Sequence, residues 1–136
     1  MTSREEWVRM SEMNFGSDHL KWMAIKACFS LRRENVESMD AHFIYPFNSD
    51  LHFMLGFDTV CYSDLDFAAK WASLMTKSNR TVYDAWFDAG SKSYSGVSAT
   101  IRQAVWGHGG NFSDHITQYI GGTSGDLDYR SEQVHP

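Results

Sequence analysis

Three observations predict an α/β fold, a layered sandwich with a small, mainly parallel sheet flanked by helices. Strand-like runs alternate with helical stretches in the order strand, helix, strand, helix, helix, the order that gives parallel strands with helical crossovers. The run Leu51-His52-Phe53-Met54-Leu55-Gly56-Phe57 is apolar almost throughout, as a strand covered on both faces is. Two later stretches, 65–75 and 81–89, repeat apolar residues at helical spacing.

The elements follow in order. Residues 1–18 form an N-terminal arm: Met1 to Met13 reads as a short helix or ordered arm with Trp7, Val8 and Met10 as docking groups, and Asn14 to Asp18 as a turn. The first strand is Leu20 to Phe29, carrying Trp22, Ala24 and Ile25 and ending near Ala27-Cys28. From Leu31 to Phe47, Val36, Met39, Phe43 and Phe47 recur at helical spacing, with Arg32-Arg33 as a solvated start and Pro46 ending or bending the helix. The second strand is 51–57, where Gly56 allows a close backbone approach. Ser63 and Asp64 offer N-cap chemistry for a helix over Leu65 to Met75. Ser78 or Asn79 caps the next helix, Thr81 to Ala89, with Val82, Ala85, Trp86 and Ala89 inward and Gly90 as its stop. Val97 to Trp106 reads as helix leading into strand. Residues 107–136 form a Gly/Asp-rich, loop-rich C-terminal region whose last residues are expected to be mobile. Only two or three strands are evident, fewer than a free-standing doubly wound sheet carries. The sheet is therefore expected to be completed by another chain or by a preceding portion.

The 136 residues fit one domain. At 43% hydrophobic and 15% aromatic they can build a core, which excludes a disordered chain. Net charge is −5, and no Lys/Arg stripe exists to neutralise phosphates, so nucleic acid is not an expected partner. No run approaches transmembrane length, so no membrane partner is expected. The stretch Met1 to Met13 carries Arg4, Glu5, Glu6, Arg9 and Glu12 rather than an apolar signal core, which leaves the cytoplasm as the default compartment. No Walker-type phosphate loop or dinucleotide fingerprint is present, and no cofactor is expected. The abundance of Trp, Tyr, Phe and Met suits a protein interface, and an unpaired sheet edge invites a homo-oligomer.

Three residues carry the chemistry. Cys28 stands at a strand end, where rigid sheet meets open loop and a thiol is placed to act as nucleophile. Free cysteine is also among the most buried residue types, so a structural role stays open. A nucleophilic thiol needs a base in reach and oxyanion donors, which loop amides can supply. His108, between Gly107 and Gly109-Gly110, is the base candidate, and Asp114 or Asp126 would orient its ring. A metal reading places His108, Asp114 and His115 with Asp126 and Asp128, but their spacing fits no standard motif. His42 and His52, beside apolar residues, read as structural. Cys28 and Cys61 are too few for a disulfide framework and can bridge only if their strand ends are neighbours.

Across about residues 19–130 these motifs resemble the second half of the caspase-like cysteine peptidases, the clan of caspases, legumains and gingipains. Trp22 to Cys28 is similar to the strand that ends in that family's nucleophile. Leu51 to Phe57 resembles the following apolar strand with a glycine, Phe67-Ala68-Ala69 a helix start, and Thr81-Val82-Tyr83-Asp84-Ala85-Trp86 a later helix. The patterning is most like gingipain-like bacterial proteins. The resemblance implies a cysteine hydrolase acting on peptides or proteins, with Cys28 as nucleophile. In that family the histidine of a His-Gly pair precedes the cysteine. Here the pair is His108-Gly109 and follows it, so an alternative stands beside the hydrolase: a non-catalytic member of the fold that works by self-association.

Overall fold

The structure is a computed structural model that describes residues 20–37, 47, 50–62, 66–118 and 121–135. Its elements are β1 (Trp22–Ala24), α1 (Arg33–Glu37), β2 (Phe53–Phe57), α2 (Phe67–Thr76), α3 (Val82–Ser93), β3 (Ile101–His108), a 3-10 turn at Gly109–Asn111 and β4 (Leu127–His135). The four strands form one sheet in the order β1-β2-β3-β4. The α/β class is as expected, but the sheet is mixed rather than mainly parallel. Only β1 and β2 run parallel, with Trp22 opposite Phe53, while β2/β3 and β3/β4 are antiparallel. The cause is the pair of helices between β2 and β3. One crossover helix returns the chain to start a parallel strand; two helices joined by a short loop return it twice, so β3 enters from the opposite end.

Each face of the sheet covers a core. Phe53, Leu55, Phe57, Ile101 and Val105 point toward α2 and α3, where they meet Phe67 and Trp86. The alternate residues Met54, Ala104 and Trp106 pack with Leu31, Val36 and Phe47 on the other face. Strand β3 is buried on both sides, which is why its sequence lacks the clean alternation that would have separated strand from helix. It is strand from Ile101 onward, and no helix leads into it.

Two further expectations are corrected here. The helix over 81–89 does not stop at Gly90 but continues to Ser93, and Thr81 caps it, accepting a hydrogen bond from the Asp84 amide at 2.9 Å. Gly90 has a packing role instead: a Cβ there would collide with the buried Gln103 amide, whose Nε2 donates to the Trp86 carbonyl at 2.8 Å. The C-terminal region is not loop throughout, because β3 reaches His108 and residues 127–135 form β4. Its sequence, LDYRSEQVH, places Leu127 and Tyr129 on one core and Val134 on the other, with polar residues between. Such a half-exposed edge strand has too few apolar residues to announce itself. The expected helix from Leu31 is described over Arg33–Glu37 alone, and the expected arm 1–18, the caps Ser63 and Asp64, and His42 lie outside the described residues. Arg33 is more than a solvated helix start: its guanidinium lies 4.8 Å from the Tyr129 ring centroid and donates to Ser131.

Candidate functional site

Strand β1 is short because the chain turns at once after it. The Ile25 amide still donates to the Leu55 carbonyl at 2.8 Å, and then residues 27–31 fold into a tight turn. That turn is fastened to the segment leaving β2: Phe29 N donates to Thr59 O at 2.9 Å and Leu31 N to Phe57 O at 3.0 Å. The Ser30 hydroxyl bridges the two segments, accepting from Phe57 N and donating to Ile25 O, each at 3.1 Å. Gly56 makes room, since a Cβ there would strike the Ser30 hydroxyl and the Leu31 side chain.

Cys28 rides on this turn with its side chain exposed. The Cys61 amide donates to its sulfur at 3.0 Å, its thiol reaches the Cys61 carbonyl at 3.2 Å, and the two sulfurs are 3.2 Å apart. The Cys61 amide and thiol hold the Cys28 thiol below its ordinary value, and the Lys26 ammonium adds to this. The partner goes the other way: burial, then the neighbouring thiol, pushes Cys61 up to about 12. Phe29, the next residue, has φ of +56° and is 45% exposed. A non-glycine side chain in this left-handed region costs about 1–3 kcal/mol, and such costs cluster at functional turns. Val60 and Tyr62 are also exposed, so apolar groups flank the thiol on both sides.

His108 and Asp114 lie elsewhere. Gly107 pairs with Phe53, and the His108 amide donates to the His52 carbonyl at 2.8 Å, at the amino end of β2. Cys28 is level with Thr59 to Cys61, beyond the carboxyl end of that strand. Six residues of extended chain separate the two levels, on the order of 20 Å. The expected grouping of Cys28, His108 and Asp114 is therefore not assembled within the described residues. Nor does Asp114 orient His108. Its Oδ2 accepts from His52 Nδ1 at 2.6 Å and from Trp22 Nε1 at 3.0 Å. His108 Nδ1 donates instead to the Gly125 carbonyl at 2.9 Å. Among the described residues no three His, Cys, Asp or Glu side chains converge to hold a metal ion, and no helix is long and apolar enough to cross a membrane.

Among known families, the model of a domain of unknown function, DUF6345, matches residues 2–135. The chain belongs to the DUF6345 family. No curated protein and no solved structure matches it.

In this DUF6345 domain the features beside Cys28 are ones that sequence reading passed over. Lys26 was one lysine among several, and Phe29 gave no sign of its backbone conformation. Cys61 was visible as a second thiol, and the available signal was positional. Each cysteine follows closely on an apolar run, Trp22 to Ile25 before Cys28 and Leu51 to Phe57 before Cys61. When such strands pair in parallel, similar offsets bring the two thiols to one rim.

Proposed function

We propose that Cys28 is the nucleophile of an acyl-transfer or peptide-hydrolysis reaction on a caspase-like scaffold. The observation that carries this reading is an exposed thiol at the carboxyl rim of the parallel β1–β2 pair, with the Cys61 amide directed at its sulfur. The thiolate would attack a carbonyl carbon of a peptide or protein substrate. The amine would leave with a proton from an imidazolium, and water would then hydrolyse the thioester. His108, at the other end of the sheet, is not that base. The reaction would need another imidazole as its base, and among the described residues none has a hydrogen bond to Cys28. Phe29, Val60 and Tyr62 would contact an extended apolar substrate segment.

Alkylation of the full chain by iodoacetamide across pH tests the nucleophile. The expected midpoint lies below the ordinary thiol value of about 8.5, and it disappears in Cys28→Ala. A midpoint at or above that value overturns the reading, as does hydrolysis of a peptide mixture that survives in Cys28→Ala. The second reading, a non-catalytic domain that self-associates through its sheet edge, rests on the distance between Cys28 and the described imidazoles. A concentration-dependent dimer together with an unreactive Cys28 is the outcome that favours it.

A further inference from the structure

The hydrolase reading uses Cys28 and leaves Cys61 unexplained. Two thiols from segments 33 residues apart meet at 3.2 Å, on backbone that is pinned on both sides. We propose that Cys28 and Cys61 form a reversible dithiol site for thiol–disulfide exchange with low-molecular-weight disulfides, Cys28 attacking first and Cys61 resolving.

The geometry separates the two roles. Cys28 is exposed on its turn, so a small disulfide can approach its sulfur, whereas Cys61 is partly covered. The Cys61 amide donates to the Cys28 sulfur and the Lys26 ammonium lies nearby, both of which favour negative charge on Cys28. Cys61 holds its proton far more strongly and is a poor first attacker. Once Cys28 is derivatised its charge is gone, and Cys61 already sits against the sulfur it must attack. A disulfide bond needs about 2.0 Å between sulfurs, so an approach of about 1.2 Å by side-chain rotation completes it.

The exchange balances in two steps. The Cys28 thiolate attacks one sulfur of the small disulfide RSSR, forming a Cys28–S–S–R mixed disulfide and expelling RS⁻, which takes up the proton that Cys28 lost. The Cys61 thiolate then attacks the Cys28 sulfur, forming the Cys28–Cys61 bond and expelling the second RS⁻, which takes up the Cys61 proton. The protein dithiol is oxidised by two electrons and RSSR is reduced to two RSH. The bridge would also consume the nucleophile of the hydrolase reading. The exchange is read from masses rather than turnover, so it stands or falls separately.

The test uses the full chain with oxidised glutathione as the probe, followed by intact-mass and peptide mapping without reductant. The expected product is a monomer lighter by two hydrogens, with Cys28 and Cys61 cross-linked, no glutathione retained and full return to the dithiol on reduction. In Cys61→Ser the reaction stops at one glutathione on Cys28. In Cys28→Ser the reaction is slower by several-fold, because the remaining thiol is partly covered and its burial still raises its pKa, which removes more thiolate than the added nucleophilicity returns. A stable glutathione adduct on the parent chain, a bridge only between chains, or a Cys28→Ser chain that reacts as fast as the parent would each overturn the proposal.

Discussion

Where β1 begins, Trp22 and His52 both donate to Asp114, and His52 is 0% exposed. Where the chain leaves β1, Cys28 lies open to solvent beside an amide and an ammonium. Both ends hold residue types that perform catalysis elsewhere, and among the described residues imidazole and carboxylate meet at the first. Their surroundings assign them different work. The His52–Asp114–Trp22 contact ties β1, β2 and the loop after β3 together, with His52 fully buried and Asp114 and Trp22 half-buried. The Cys28–Cys61 contact ties two surface segments and keeps one sulfur reachable. A pairing of reactive side chains therefore says little about function until its exposure is known.

The largest expected effect is at the closed end. Asp114→Ala strands the Nδ1 of a buried His52 and the Trp22 indole N–H, which costs about 2–4 kcal/mol of unfolding free energy in urea. The same variant leaves the pH midpoint of Cys28 alkylation where it was, since the hydrogen bonds Asp114 accepts come from Trp22 and His52 at the other end of the β1–β2 pair. A midpoint that moved would show the ends to be coupled and break the comparison.

At the open end the next effect is on stability against pH. An unfolded chain's thiol ionises at about 8.5, whereas folding pushes Cys61 up to about 12. Across that interval the unfolded state has released a proton that the folded state retains, so unfolding gains with rising pH and stability falls from about pH 9 toward 12. Cys28 works in the opposite sense, its lowered value adding stability that is present above the unfolded thiol pKa and lost as pH falls through the folded one. Chains carrying Cys28→Ala, with and without Cys61→Ala, unfolded in urea at pH 8 and pH 10, isolate the part of the first contribution that burial supplies: the chain that keeps Cys61 loses more stability between the two. Equal losses would mean that Cys61 titrates as an ordinary thiol.

Smaller still is the tuning of Cys28 itself. Both Cys61→Ala and Lys26→Met raise its alkylation midpoint, Cys61→Ala by more, because the Cys61 thiol outranks the Lys26 charge. Neither abolishes the depression, because the leading contribution is the Cys61 backbone amide, which both variants keep. A midpoint restored to that of a free thiol by either change would relocate the cause from backbone to side chain.

Much of the fold was legible where burial left a periodic mark. The apolar run 53–57 and the stripes of α2 and α3 are what a covered strand and two packed helices require. Strand direction was not legible, because periodicity is the same whichever way a strand runs. Strand β4 was hidden by its polar face. At the site, Cys28 was readable from its place after a strand. His108 was misleading: its flanking glycines suggested a mobile catalytic loop, whereas Gly107 lies within β3 and the His108 ring is held by Gly125. The partner that meets Cys28 comes from 33 residues on, a distance that only parallel pairing of β1 and β2 closes.

The smallest effect sharpens the comparison at the turn that carries Cys28. Phe29 holds φ of +56° while its amide donates to Thr59 and its ring lies 5.3 Å from the Arg32 guanidinium. Glycine adopts this conformation without steric cost but enlarges the entropy of the unfolded chain. Phe29→Gly should therefore fall between no change and about 1 kcal/mol of stabilisation. Phe29→Ala keeps the Cβ that the left-handed region disfavours and loses the ring contact, so it should lie below Phe29→Gly. Urea unfolding of the three chains reads the order directly. If alanine is the more stable substitution, the turn does not hold residue 29 in a left-handed conformation, and the rigidity assigned to the exposed end loses its physical basis. If glycine leads, yet Cys28 then reacts more slowly at fixed pH, the backbone cost at Phe29 is what keeps the sulfur against the Cys61 amide.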